Sequence, residues 1–420
     1  MSKYTLVPEQ HAARFRFAAL HSRAFALLWL GGIVSYIGTQ IQLIGTTWLV
    51  IHFPHAALWL GGLSLCFALP MTLLPPLGGW LADRINRMTL LKWARGIQIA
   101  LPVLVACLLM SGHLQLWMLS VHTFLVGVAT AFSLPANQTL LPSLVPEEEV
   151  QSATSLQSAM FASATLVGPA LGGVLLQPVG VAGLFLVDAL STLAVFLPLF
   201  LLHGISRREN VRRQAPNHHL MDGFRAIFQH RDLVALLVMA MCLCLLQGGS
   251  QTLLPLFAQE TFHVGADGYG WLRTISGAGA VLSSLLLSAV GTIRRTTVLI
   301  VGATLLQASV LLLFANVPVF GLALVLLFLA GISGTLASAL VQTQLYLVAP
   351  EQFRGSTMAL YIVALVGFNA IGGMIGGSVA QASSCSQAVT WIVLVVMAVM
   401  LFFLLSHKRR GTRRARPRER

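Results

Sequence analysis

Gly79-Trp80-Leu81-Ala82-Asp83-Arg84-Ile85-Asn86-Arg87-Met88 closes the second long apolar run of the chain. Apolar residues lead into it without interruption, and then an acid and two arginines arrive at positions 83, 84 and 87. A helix that leaves a bilayer ends in this way, with its charges set down at the water interface. The reading extends outward from there. No Asp, Glu, Lys or Arg occurs over 24–82, 96–146, 296–350 or 355–407. Between Glu149 and Arg207 there is one charge, Asp188, and between Asp232 and Arg294 there are three. These six stretches run to 51–61 residues each. A bilayer-spanning helix needs about 20 residues, so each stretch holds two spans and a short turn. Six hairpins make twelve transmembrane helices.

Composition and charge agree. Of 420 residues 56% are hydrophobic and only 9% charged, with a mean hydropathy of +0.82. A soluble domain carries about 25% charged residues, so this is an integral membrane protein. Twenty-five of the 26 Lys and Arg fall on one face of the hairpins. The positive-inside bias makes that face cytoplasmic and places both termini there. Only Arg273 is left over. The net charge of +13 is thus a topology signal with some attraction for anionic lipid, and no nucleic-acid partner is needed to explain it. Cysteines 66, 107, 242, 244 and 385 show no metal or redox spacing and read as small core residues. No metal or cofactor is expected. The first 23 residues hold no cleavable apolar region, so the first span is expected to act as an uncleaved targeting signal.

The expected organisation is a cytoplasmic N-terminus over 1–23, a six-helix bundle over 24–203, a basic linker over 204–231, a second bundle over 232–406 and a basic tail over 407–420. Outer turns are expected at His52-Phe53-Pro54-His55, Ser111-Gly112-His113, Gln177-Pro178, His263-Val264-Gly265, Asn316-Val317-Pro318 and Ser383-Ser384-Cys385. The two halves repeat one another. Leu144-Val145-Pro146-Glu147 has its counterpart in Val348-Ala349-Pro350-Glu351, a shift of 204 positions. At that shift Ser152 matches Ser356, Leu156 matches Leu360, Gly168 matches Gly372, and Gly172-Gly173 match Gly376-Gly377. Towards the front of each half the match weakens, and Asp83 is answered by Gly291.

Two charges stand inside spans. Asp188 lies about 10 Å from the outer end of its helix at 1.5 Å per residue. A carboxylate at that depth is costly; it either relays protons or sits packed and hydrogen-bonded to Ser or Thr. Arg273 either snorkels to the outer surface or lines a cavity. The spans hold no HExxH, no Gly-x-Ser-x-Gly and no grouped acids, which argues against an enzyme. No phosphate-binding loop is present, so ATP is not the direct energy source.

The spacing Gly79-x-Leu81-Ala82-Asp83-Arg84-x-x-Arg87 closely resembles the loop between the second and third helices of major facilitator superfamily transporters. Asn86 stands where a glycine is usual and Met88 where a second basic residue is usual. The resemblance implies an all-α fold of two pseudo-symmetric six-helix bundles with the substrate site between them near mid-membrane. It also implies that Gly79, Asp83, Arg84 and Arg87 form a gate, with Asp83 near the N-terminus of the eleventh helix around Gly355-Ser356-Thr357. Gly168-Pro169-Ala170-Leu171-Gly172-Gly173 resembles the family's antiporter motif, with Ala164 at the upstream glycine position. In physical terms Pro kinks the helix and glycines four apart admit a neighbouring backbone. The motif favours export over import.

The chain is also similar, over nearly its full length, to the branch that contains the enterobactin exporter and macrolide-efflux proteins. Phe25-x-x-Leu28-Trp29-Leu30-Gly31, Ser35-x-x-Gly38, Pro135-Ala136-Asn137-Gln138 and Leu141-Pro142-Ser143-Leu144-Val145-Pro146 carry that likeness. Where that branch often has an acid after the glycine of helix 1, this chain has Thr39-Gln40, so a proton site there is lost. The family's fourth-helix arginine is replaced by Thr123, with His122 beside it. Asp188 and His122 are therefore the proton-coupling candidates. In this fold helices 1, 7, 10 and 11 line the cavity, which makes Gln40, Gln247, Gln251, Gln342 and Asn369, with Arg273, the candidates to touch substrate; interhelical hydrogen bonding is the alternative for each. The expectation is a proton-driven exporter of a small lipophilic compound, a drug or siderophore, in the inner membrane, working by alternating access; an importer or facilitator of a small solute on the same fold is the alternative. Its partners are the solute, protons and lipid, and the transport unit is a monomer.

Overall fold

A computed structural model describes residues 18–74, 87–146, 149–201, 230–290 and 296–414. In hydrocarbon every backbone N–H and C=O must be satisfied within the protein, and helices do this segment by segment. The described residues are accordingly helical, without strands. The helices are α1 (Arg23–Val50), α2 (Ala56–Leu73), α3 (Arg87–Met110) and α4 (Leu116–Ser143). A continuous helical run, Val150–Leu201, contains two spans. We name them α5 (150–179) and α6 (181–201). Then come α7 (Arg231–Leu256), α8 (Gly265–Val290), α9 (Thr296–Asn316), α10 (Phe320–Val348), α11 (Arg354–Ala382) and α12 (Cys385–Arg414). That makes twelve spans, the number the charge spacing requires.

Two details differ from the sequence reading. The third outer turn is at Gly180 rather than Gln177-Pro178. Gly180 has φ 68° and ψ 177°, a region essentially closed to residues with a Cβ, and this one residue reverses the chain between α5 and α6. The last helix also continues through Arg414, whereas the sequence suggested a separate tail after His407. The linker residues 202–229 and the terminal residues 1–17 and 415–420 lie outside the described residues.

Six helices pack into each half. In the first, α1 lies along the α5–α6 run, α3 contacts that run and α4, and α2 packs on α4. In the second, α7 lies against α11 and α12, α8 against α10, and α9 against α10 and α12. The halves meet along two seams, α2 with α11 and the α5–α6 run with α8. Large apolar side chains such as Trp93, Leu125, Leu285 and Leu313 face outward, as a lipid-facing belt requires.

The repeated glycines show how the symmetry works at atomic level. A Cβ on Gly172 would lie 2.9 Å from Ile44 Cγ1 of α1, and one on Gly376 would lie 3.2 Å from Gly249 Cα of α7. Each glycine lets its helix close on the first helix of its own half. Their neighbours point the other way. A Cβ on Gly173 would lie 3.0 Å from the Ala266 carbonyl oxygen of α8, and one on Gly377 would run into the Ala57 carbonyl of α2. The same Gly-Gly pair, used twice, thus seals a bundle with one residue and joins the two bundles with the next.

These inter-bundle approaches lie on the side of the molecule away from the termini, here called the distal side. Thr47 Oγ1 and the hydroxyl of the fully buried Tyr269 add a contact of 3.0 Å there, from α1 to α8. The bundles are closed against each other on the distal side.

Within the second half, α7 crosses α11 where a methyl group on Gly248 would strike the Asn369 carbonyl. That obstacle is backbone and cannot rotate away. Gly248→Ala is therefore expected to destabilise the protein by about 1–3 kcal/mol, as overpacking does, and a lowered thermal midpoint in detergent would show it. Gly62→Ala, whose Cβ meets nothing within 4 Å, is the matched control.

Candidate functional site

A cavity of about 170 Å³ lies between α5 of the first half and α7, α8, α9 and α10 of the second. Thr165 and Pro169 of α5 close one side. The polar wall comes from Gln247, Ser250 and Gln251 of α7, Arg273 and Ser276 of α8, Gln307 of α9 and Thr335 of α10. Arg273 Nη1 donates to Gln251 Oε1 at 3.2 Å. Gln307 is 3% exposed, and its Oε1 has no hydrogen-bond partner among the described residues. Gly334 makes room for two amides: a Cβ there would lie 2.8 Å from Gln307 Nε2 and 3.0 Å from Gln247 Nε2. Leu254, Leu311 and Leu327 supply apolar surface. No carboxylate of a described residue lines this cavity, which makes Arg273 its one formal charge among them.

The acid is in the other half. Asp188 of α6 is 4% exposed and lies within 3.1 Å of Thr39 Oγ1 on α1. Thr39 Oγ1 also lies 3.1 Å from the Ser35 carbonyl oxygen. A threonine has one hydroxyl proton, so it can donate along only one of these contacts. Both become hydrogen bonds when Asp188 itself carries a proton and donates it to Thr39, which then donates to Ser35. The same face of α1 continues the polar seam. Ser35 Oγ pairs with Thr192 Oγ1 at 3.4 Å, and Gln42 Nε2 meets His122 Nε2 at 3.2 Å. His122 is buried, its Nδ1 has no partner among the described residues, and its ring stands edge-on to Phe185. Ser35, Thr39 and Gln42 are spaced four and three apart, which puts them on one side of the helix.

Residues 15–418 match the model of a family described as transmembrane secretion effector. The chain belongs to that family, a branch of the major facilitator superfamily. It is a secondary transporter and a multi-pass membrane protein, not an enzyme. Among its relatives, the enterobactin exporter EntS of Shigella boydii is 26% identical over 395 residues, 92% of this chain and 93% of that protein. Macrolide efflux protein A of Streptococcus pyogenes is 24% identical over 300 residues, 71% and 74% of the two chains. The staphyloferrin A transporter of Staphylococcus aureus is 26% identical over 258 residues, 60% of this chain and 64% of that one. The fold is shared with a solved bacterial homologue of the lysosomal transporter Spinster, inward-facing and unoccupied, at a TM-score of 0.72 and 16% identity. That alignment covers 92% of this chain and 97% of the other.

Of the residues expected to touch substrate, the transporter brings three together: Gln247, Gln251 and Arg273 share the cavity wall. Arg273 points into the cavity, the second of its two readings, because Gln251 holds its guanidinium there. The other three are elsewhere. Gln40 is half-buried and packs its Cβ against Gly168. Gln342 is exposed on α10, and Asn369 is half-buried where α11 crosses α7. Asp188 and His122 both flank the α1 seam, one turn apart in their α1 partners, and no direct contact joins them. In the α5 motif Gly168 and Gly172 face α1, Pro169 reaches the cavity and Gly173 faces α8. Gly79, Asp83 and Arg84 lie outside the described residues, and Arg87 opens α3, its side chain likewise outside them.

Two further polar residues stand out only in the folded chain. Gln307 was one more polar residue in an apolar helix. Arg95 reads in the sequence as one more interfacial cation, but it stands two turns inside α3 at 9% exposed. Its Nη1 donates to Gln98 Oε1 at 3.0 Å, and its Nε has no hydrogen-bond partner among the described residues. With Tyr36, Asn137 and Gln157 it lines a small pocket inside the first half. The signal for it was the length of the span: a helix that must cross a bilayer from residue 110 back towards the interface includes position 95.

Proposed function

We propose that this transporter exports a small amphipathic compound, of drug or siderophore type, across the plasma membrane in exchange for protons. The observation that carries this reading is the separation of a polar, charged cavity at the junction of the two bundles from a lone carboxylate sealed inside one of them. Solute and proton then have different seats, as an antiporter needs, and a rocking of the bundles about the two α2–α11 and α5–α8 seams exposes the seats to either side in turn. Asp188 takes up the proton on one side and gives it up on the other, with the Thr39–Ser35 chain holding its protonated form. The Gly168-Pro169 motif and the names of two relatives, an exporter and an efflux protein, support outward transport. The bias of cations to one face supports cytoplasmic termini, so that the closed distal side faces outward and the cavity is in its inward-facing arrangement. One chain supplies all walls of the cavity, which fits a monomer as the working unit.

Everted membrane vesicles with an acidic interior test this. Adding solutes from a panel of lipophilic antibiotics and small organic acids should release protons from the wild-type vesicles. Solute movement without a proton signal would overturn antiport in favour of a facilitator, and movement only in the opposite direction would make the protein an importer.

A further inference from the structure

We propose that Arg273, Gln251 and Gln307 form an oxyanion subsite, so that the solute is a small organic anion with a hydroxyl or N–H donor beside its acid group. The inference deepens the export reading and rests on it for the word solute; the binding chemistry stands by itself.

Three observations lead to it. The first is charge. A guanidinium has five donors in a planar fork, and here one of them is taken by a neutral amide, Gln251. A cation drawn into a membrane-embedded cavity is costly unless an anion meets it, and no described residue of the cavity wall is acidic. The missing counter-charge is therefore expected from the ligand, and a carboxylate or catecholate-like oxygen pair matches the fork in a bidentate manner. The second is Gln307. It is 97% buried, lines the cavity and has a carbonyl oxygen without a donor among the described residues. A buried acceptor left unpaired costs free energy, and the ligand group that relieves it is a donor, which a simple carboxylate lacks. The third is size. About 170 Å³ is below the roughly 300–1,000 Å³ of sites that enclose drug-sized ligands. In this arrangement the cavity seats the acidic end of a solute, or a compact acid whole.

The site also excludes. A lone cation among neutral amides repels a protonated amine, and no residue of the described wall offers such an amine a counter-ion. Compounds whose only charge is a cationic amine are disfavoured, and acids are selected.

Isothermal titration of the full chain in nanodiscs separates these cases. The probes are salicylate (a carboxylate with an adjacent hydroxyl), benzoate (the same acid without it), citrate and the lipophilic cation tetraphenylphosphonium. Salicylate or citrate should bind the wild type, and benzoate more weakly than salicylate. Arg273→Gln should weaken all acids by about tenfold or more, the scale of a lost charge-assisted hydrogen bond, whereas Arg273→Lys should recover part of the affinity. Gln307→Leu should erase the advantage of salicylate over benzoate and leave benzoate unchanged. Unaltered thermal midpoints show that the variants are folded, and the Lys rescue guards against a structural effect of Gln. Equal acid affinity in wild type and Arg273→Gln overturns the subsite, as does the absence of any acid binding to wild type at millimolar concentration. The same proteins in liposomes test the other reading independently. Acid binding without acid movement refutes export and keeps the subsite; movement of tetraphenylphosphonium that is indifferent to Arg273 keeps export and refutes the subsite.

Discussion

Asp188→Asn is expected to abolish the coupling of solute movement to the proton gradient while leaving the protein folded and able to exchange solute for solute. The argument starts from burial. Asp188 is 4% exposed between α1 and α6, and a charged side chain at the bilayer centre costs at least about 2.5 kcal/mol on insertion scales. Among the described residues its carboxylate has one side-chain hydrogen-bond partner, Thr39, whose hydroxyl is itself within reach of the Ser35 carbonyl, and the Arg95 guanidinium is near enough to act on it through charge. Asparagine has the same shape and keeps the chain intact, since its amide N–H can donate to Thr39 as a protonated carboxyl does. What it cannot do is lose that proton. In liposomes with a pH difference of one unit, one-for-one exchange with protons can hold a solute ratio of up to about tenfold, equivalent to about 1.4 kcal/mol. The Asn variant should fall to a ratio near one, with counterflow of labelled solute preserved. If Asp188→Asn still accumulates solute against the gradient, the proton has another carrier and the assignment fails. His122 and Gln42, the next pair along the α1 seam, would then be the place to look.

The second large effect concerns the seam between the bundles. Gly377→Val places branched carbon where α2 presents the Ala57 carbonyl and Gly61 Cα. Neither obstacle is a side chain that can turn aside. The variant is expected to penalise the distal-closed arrangement by about 1–3 kcal/mol, which moves an equilibrium between two states by about 5- to 150-fold. On the alternating-access reading proposed above, each cycle passes through that closed arrangement, and transport is expected to fall by a similar factor. Gly173→Val is the counterpart at the α5–α8 seam, with the Ala266 carbonyl, Asp267 and Gly270 as obstacles. A cysteine at Ser64, beside Gly373 on the α2–α11 seam, reports the state directly. In a background without the native cysteines, a membrane-impermeant maleimide should label it faster from the distal side when Gly377 is Val. Unchanged labelling together with normal transport would mean that the bundles do not close through these glycines.

The twelve spans could be read from the sequence because a bilayer forces nearly every charge out of about 20 successive residues; the gaps between charges are therefore a ruler. The duplication was legible for a related reason. Gly173 and Gly372, Gly376 and Gly377 lie against the backbone of a neighbouring helix, and Gly168 and Gly172 lie against Gln40 and Ile44 of α1, so each repeated glycine sits at a close approach that a larger residue would crowd. What hydropathy could not supply was direction. Inside a membrane the lipid-facing side of a helix is as apolar as its packed side, so nothing in the pattern told Gln42, buried in the seam, and Thr39, whose hydroxyl reaches Asp188, from Gln40, which packs under α5. The same blindness hid Gln307 and placed Gln342 in a cavity that it does not line. Arg95 was missed because a cation near the end of a span looks like any other interfacial cation until a structure shows that it is buried. The Gly180 reversal was displaced by two residues because Pro178 looks like the stronger helix breaker, although proline is accommodated near a helix end and only glycine adopts the backbone angles of the turn.

The cavity wall comes almost wholly from α7 to α10, and the buried acid sits between α1 and α6. Such a layout lets cargo drift apart from engine over evolutionary time. If the cavity is the solute seat proposed above, substitutions at Gln247, Gln251, Arg273, Gln307 or Thr335 alter what is recognised, and none of these residues hydrogen-bonds to Asp188 or Thr39. On the proposed reading, a lineage built on this plan can acquire a new substrate through a few changes in one half of the gene while the proposed proton carrier is inherited unaltered.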